Sequence, residues 1–268
     1  MKTTLKTLSL IFALLLLFAA GCKKKDNVAS DCRLTKKQDA SGDSALVTYD
    51  AQGRVSSYGN DLTKYVFTYS GLTASVTLNA SNQVTINLSL DAEGKATFMT
   101  WSNNSGSQVD YTYTFEYDAD GHIVKSLQTV HVSGQPTTTY FKDSLIWANG
   151  NLIAKYTYVH DNADPYVLYC RTQTTYTADV NKTGYHNFRY IEEPISITSG
   201  WDAFYHLFGK GPKNLPAVTQ YFDGSGNLVL QNNYTYLLNS IGYVTEENMV
   251  RSISSPFSVN RKFTYECF

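Results

Sequence analysis

The sequence predicts an all-β fold, an antiparallel meander of about fifteen strands rolled into a barrel or a strongly curved sheet. Three observations predict it. Apolar and polar residues alternate with period two over most of the chain. Strand-favouring residues are abundant, with 21 Tyr and 13 Phe among 268 residues. Turn signals recur between the alternating runs, mostly every 10–20 residues.

The alternation is clearest in "QVDYTYTFEY", residues 108–117. Val109, Tyr111, Tyr113, Phe115 and Tyr117 share one face; Asp110, Thr112, Thr114 and Glu116 share the other. Successive strand side chains point to opposite faces, so the pattern marks a half-buried strand. "VTINLSLD" repeats it with Val84, Ile86, Leu88 and Leu90. Between such runs stand "DAQG" at 50–53, "DAEG" at 91–94, "DADG" at 118–121, "NGN" at 149–151 and "GSGN" at 224–227. An Asp at the head of a turn accepts bonds from amides two residues on, and a terminal Gly supplies positive φ. These signals predict consecutive hairpins.

The acids in "FEYDADGHIVKS", residues 115–126, also raise a calcium loop. A loop beginning at Glu116 wants a carboxylate at its twelfth position, where Leu127 stands. The flanks alternate as strands, so the turn is the better reading and no metal site is expected. "SGWDAFYHLFGKGPKNLP", 199–216, breaks the β-pattern. It predicts one short helix near 200–208, capped by Ser199 and ended by Gly209, with Trp201, Phe204, Tyr205 and Phe208 on one face. That helix either covers an open part of the sheet or offers an aromatic patch to a ligand. "GKGPK" follows the helix, whereas a phosphate cradle precedes one.

The N-terminus carries Lys2 and Lys6, an apolar run from Leu8 to Ala20, and Cys22. This is a secretory signal over 1–21, too short for a spanning helix. "FAAGC" resembles the lipobox of bacterial lipoproteins, which implies lipidation of Cys22. An ordinary signal peptide with a chance Cys is the alternative. Residues 22–31, including "KKKDNVAS", are too polar to bury a core and read as a lipid-anchored tether. A single domain then spans 32–268.

With 22 basic and 23 acidic residues there is no cationic excess for nucleic acid. The envelope permits disulfides. Cys32 and Cys267 lie near the two ends of the domain and form a possible bridge, while Cys170 reads as a buried thiol in step with Tyr166 and Leu168. His122, His131, His160, His186 and His206 are scattered, without metal-ligand spacing. His160 and His186 read as loop residues, and Glu192 and Glu193 as a solvated turn before Pro194. No catalytic set and no cofactor motif is recognisable. The tyrosines read as core, with a stacking surface for sugars or another planar ligand as the sharper alternative.

"YDAQGRV", the aromatic short segment, "GKGPKNLPAVTQYF" and the terminal "RKFTYECF" together resemble a Bacteroidetes lipoprotein family of unknown function described as having a porin-like fold. The Tyr-Asp-x-x-Gly-x-Ile/Val form also resembles the YD repeat of bacterial toxin-enclosing shells, though its spacing in this chain follows no fixed period. The family resemblance implies a large antiparallel barrel and supplies no catalytic residues. Asp43-Ser44-Ala45 and Asp143-Ser144-Leu145 resemble the Bacteroides O-glycosylation signal, which makes Ser44 and Ser144 candidate sites. The expected function is a non-enzymatic, lipid-anchored cell-envelope protein, a binding or scaffold module on the outer membrane, facing the periplasm or the exterior. Its expected partners are the membrane, through the anchor, and a small-molecule, glycan or protein ligand. The alternatives are a porin-like transmembrane barrel and a carbohydrate-binding or carbohydrate-processing surface protein.

Overall fold

The computed structural model describes residues 32–78, 84–103, 109–132, 139–161, 165–182, 204, 206–253 and 256–268. Cys22 and His186 lie outside the described residues, as do Glu192, Glu193, Trp201 and Tyr205. The chain divides into two compact units. One is Arg33–Glu266; the other joins Met1–Cys32 to Cys267–Phe268, and within it Cys32 and Cys267 form a disulfide.

Sixteen strands follow one another, where the sequence predicts about fifteen. They are β1 (Cys32–Asp39), β2 (Ser44–Tyr49), β3 (Val55–Gly59), β4 (Lys64–Ser70), β5 (Thr73–Leu78), β6 (Val84–Leu90), β7 (Ala96–Asn103) and β8 (Val109–Tyr117). The second half contains β9 (Ile123–Val132), β10 (Thr139–Ala148), β11 (Asn151–Asp161), β12 (Val167–Val180), β13 (Asn214–Asp223), β14 (Leu228–Leu238), β15 (Val244–Ser252) and β16 (Phe257–Cys267). Each lies beside its sequence neighbours, and β16 returns to β1, so the sheet closes as a barrel with no free edge.

In such a meander alternate connections fall at the same end. The start of β1, the end of β16 and the turns at 50–54, 71–72, 91–95, 118–122, 149–150 and 239–243 therefore share one end. Four of these turns share one chemistry. At Asp50, Asp91, Asp118 and Asn239 the side-chain Oδ1 accepts amide hydrogen bonds from the residues two and four positions on. Asp223 builds the same turn at the opposite end.

A second regularity explains the Tyr before the Asp. The Tyr49 hydroxyl donates to the Leu34 carbonyl at 2.7 Å, and that of Tyr117 donates to Ala96 at 2.7 Å. Tyr69 reaches Val55 at 2.9 Å, Tyr176 reaches Leu152 at 2.7 Å, and Trp147 Nε1 reaches Ile123 at 2.8 Å. Each bond ties one strand to the first residues of the strand before it, satisfying carbonyls near the rim. Burial raises the phenolic pKa at Tyr69, Tyr117 and Tyr176, so these donors stay protonated.

Among the described residues, the buried side chains line the interior. On β2–β8 it is apolar, with Val47, Tyr65, Phe67, Val76, Ile86, Leu88, Met99, Trp101, Tyr113 and Phe115 all buried. Of the predicted helix, 200–203 and 205 lie outside the described residues; Phe204, His206 and Leu207 belong to a 3₁₀ turn. Phe204 meets Tyr65 and Phe67 at ring separations of 5.7 and 5.4 Å, and Phe208 meets Phe115 at 4.8 Å. The segment after them is stitched to the turn end. Lys210 N–H donates to Gly121 O, Lys213 N–H to Gly150 O, and Asn214 pairs with Asn151. "GKGPKN" is thus a strap across the turns.

On β9–β16 polar side chains join apolar ones such as Leu145, Leu152, Tyr221, Met249 and Phe263 at the buried positions. The polar ones include Ser126, Gln128, Asp143, Lys155, Thr157, Thr172, Thr174, Thr219, Asn232 and Glu247. Asp143 accepts from Ser126 Oγ at 3.0 Å and Thr157 Oγ1 at 2.6 Å, and Gln128 donates to the Tyr113 hydroxyl at 2.9 Å. Arg261 donates to Glu247 Oε1 at 2.7 Å and faces Asp39 at 3.4 Å.

The Asx turns carry a pH prediction. Partial desolvation opposes ionisation of Asp50, Asp91 and Asp118, but hydrogen bonds from the residues two and four positions on outweigh it and lower each pKa. At Asp223 the bonds from Asn227 dominate in the same direction. A lowered folded-state pKa gives stability that is present above the usual carboxylate pKa and lost as pH falls through the folded value. Melting temperature is therefore expected to fall on acidification below about pH 4. Asp91→Asn, which copies the Asn239 turn, should flatten that slope; an unchanged slope would remove Asp91 from the effect.

Candidate functional site: a groove on the outer wall

The outward positions of β8, β9 and β10 form two rows across the sheet. Thr114 pairs with Leu127, which pairs with Lys142, which pairs with Tyr158. In the next row Glu116 pairs with Lys125, then Ser144, then Tyr156. Together with Tyr166, which precedes β12, Thr114, Glu116, Lys125, Ser126, Leu127 and Lys142 line a groove of about 240 Å³. Lys125 Nζ bridges both oxygens of Glu116, at 2.8 and 3.0 Å. Lys142 Nζ lies 5.7 Å from the Tyr166 ring centre and makes no ion pair among the described residues. Tyr166 remains 43 % exposed. Its ring lies 5.1 Å from that of His160, which is 5.7 Å from that of Tyr140. Aromatic, cationic and hydroxyl groups thus stand together on a rigid wall, a combination suited to reversible binding of a polar ligand with one flat face.

Most of this arrangement is not apparent in the sequence. The alternation of 108–117 places Thr114 and Glu116 outward, but Tyr166 reads as sharing the face of Cys170. The structure corrects that. Thr157 pairs with Cys170 and the next residue, Tyr158, pairs with Leu168, so Tyr169 is an inserted residue that breaks the step. Cys170 is buried inside, Leu168 is opposite Tyr158, and Tyr166 is exposed. His160 also departs from expectation: it lies in β11, not in a loop.

Ser144 lies in the second groove row, half-buried between Lys125 and Tyr156, while Ser44 begins β2. His122 is buried against Trp147, with ring centres 4.2 Å apart, and His206 Nε2 is 2.8 Å from the Tyr69 hydroxyl. Asp118, Asp120 and His122 bring one ligand atom each within 4.8 Å of one another. Asp118 Oδ1 already accepts two backbone amides, and Oδ2 faces His122 Nδ1 at 3.1 Å. Three groups fall short of a six- to eight-oxygen calcium shell. The bonds are those of the other Asx turns, so the cluster is assigned to the fold.

Gly121 closes that turn at φ 88°, and a Cβ there would come no nearer than 3.9 Å to Lys210 and Lys95 side-chain atoms. Gly121→Val is expected to destabilise the barrel by about 1 kcal/mol or more, through left-handed strain alone. EDTA should leave wild-type melting unchanged. A calcium-dependent rise in melting temperature would transfer the cluster from turn to metal site.

No family model matches the chain, and no curated protein matches it. Solved structures do. A porin-like protein from Bacteroides vulgatus has a TM-score of 0.63 at 17 % identity, over 87 % of this chain and 99 % of its own. A porin-like protein from Bacteroides uniformis has a TM-score of 0.62 at 16 % identity, over 87 % of this chain and 96 % of its own. At these identities the likeness is one of fold.

Proposed function

We propose that this chain is a non-enzymatic, lipid-anchored module of the outer membrane whose barrel stands in water and binds a ligand on its outer wall. The polarity of that wall carries the reading. A membrane-spanning barrel presents an apolar band about 25 Å tall to lipid and keeps its polar groups inside. Here exposed mid-strand positions include Thr68 on β4, Asn87 on β6, Thr114 on β8, Gln173 on β12, Thr235 on β14, and Lys262 and Thr264 on β16. Large apolar side chains such as Phe67, Ile86, Met99 and Phe115 are buried inside, beside polar ones on β9–β16. Exposed apolar residues such as Val66, Phe98, Ile146 and Val250 are interspersed with these polar ones.

The anchor is Cys22, with 23–31 as tether and the start of β1 at the turn end. Residues 32–268, made without signal or anchor, are expected to be soluble and monodisperse without detergent, and silent in a planar bilayer. Full-length Cys22→Ala should leave the membrane fraction. Sixteen strands, with both barrel termini at one end, also suit a transmembrane pore. Folding only in detergent, or ion conduction, would move that reading to first place.

A further inference from the structure

We infer that the groove between β8, β9, β10 and Tyr166 binds an acidic saccharide, a pyranose bearing a carboxylate or sulfate. The inference rests on the water-facing reading, which is what leaves the wall open to a solute. Tyr166 offers an exposed ring at the groove margin, and an aromatic ring is a natural support for the apolar C–H face of a sugar. Lys142 lies 5.7 Å from that ring centre and has no acidic partner among the described residues, so an anionic substituent can take its charge. Glu116 and Lys125, joined across the next row, present an acceptor and a donor to ring hydroxyls, and the Thr114 hydroxyl stands in Lys142's row. Leu127 gives an apolar floor between Thr114 and Lys142. A volume of about 240 Å³ has room for one sugar ring, with further units running outside it.

The charges select the class. Two lysines against one glutamate leave the lining cationic, which favours an acidic sugar over a neutral one. An isolated anion would use Lys142 and leave Tyr166 idle. Each row is fixed by strand register, which sets Thr114, Glu116, Lys125 and Lys142 on one wall beside Tyr166 at the entry to β12.

The test uses residues 32–268 and three probes: tetragalacturonate, neutral maltotetraose and inorganic sulfate, each titrated calorimetrically. Tetragalacturonate is expected to bind, with maltotetraose and sulfate at least about tenfold weaker. Lys142→Gln should weaken tetragalacturonate at least about tenfold by removing a charge-assisted bond. Tyr166→Ala should do likewise, with both variants melting as wild type does. Equal binding of maltotetraose would overturn the anionic half of the inference, and equal binding of sulfate its stacking half. Absence of tetragalacturonate binding by a soluble, folded barrel would overturn the saccharide assignment while leaving the water-facing reading intact. A barrel that folds only in detergent would overturn both.

Discussion

Replacing Arg261 by Met is expected to destabilise the barrel by about 3–5 kcal/mol. Glu247 is wholly buried, and its Oε1 accepts from Arg261 Nη1 at 2.7 Å. The same guanidinium faces Asp39 at 3.4 Å through Nε, and Lys37 approaches that carboxylate at 3.9 Å. Removing Arg261 takes the 2.7 Å charged donor from a carboxylate that water does not reach, and weakening the compensation of a buried charge is far more costly than the pair is favourable. Glu247→Gln in the Arg261→Met background should therefore recover much of the loss, because the neutral amide no longer needs a cation. Urea unfolding of wild type, the single variants and the double variant measures this as a cycle. Additive effects would show that the two residues act separately.

That pair marks the limit of what the sequence reveals. The residue-level alternation in 84–90 and 108–117 depends only on neighbours along the chain, and both stretches are strands facing as their letters suggest. The turn motifs are equally local: Asp118 and Gly121 make their turn from bonds spanning four residues. β3, five residues from Val55 to Gly59, hides its period because two serines separate Val55 from Tyr58. The groove and the buried ion pair depend on register between strands. Lys142 meets Leu127 and Thr114 only after two hairpins have fixed their pairing, and the insertion at Tyr169 separates the faces of Tyr166 and Cys170 without any Gly or Pro to announce it. Likewise, nothing in the letters of 108–117 says whether the apolar face points into a lumen or toward lipid. The burial of Tyr113 and Phe115 once the sheet has closed places that face inside.

Gly209→Val is expected to destabilise the barrel by about 3 kcal/mol or more, well beyond Gly121→Val, although the two glycines have nearly the same backbone. Gly209 has φ 81° and Gly121 φ 88°, so both substitutions carry the left-handed penalty of about 1–3 kcal/mol. They differ in space. A Cβ at Gly209 would lie 2.3 Å from the Gly121 carbonyl oxygen and 3.0 Å from Tyr117 Cε1. The first is backbone and cannot turn aside; the second belongs to the ring whose hydroxyl holds the Ala96 carbonyl. Relief requires the 206–213 strap to lift, which breaks the Lys210–Gly121 hydrogen bond and draws Phe208 from its 4.8 Å contact with Phe115. Overpacking of this kind adds about 1–3 kcal/mol to the strain. Thermal unfolding of Gly121→Val, Gly209→Val and the double variant separates the two terms. Equal losses at the two positions would mean that strain alone sets the penalty and that the strap does not close the turn end. A larger loss at Gly209, with protease sensitivity appearing at the strap, would show that the close approach of Gly209 to Gly121 holds it shut.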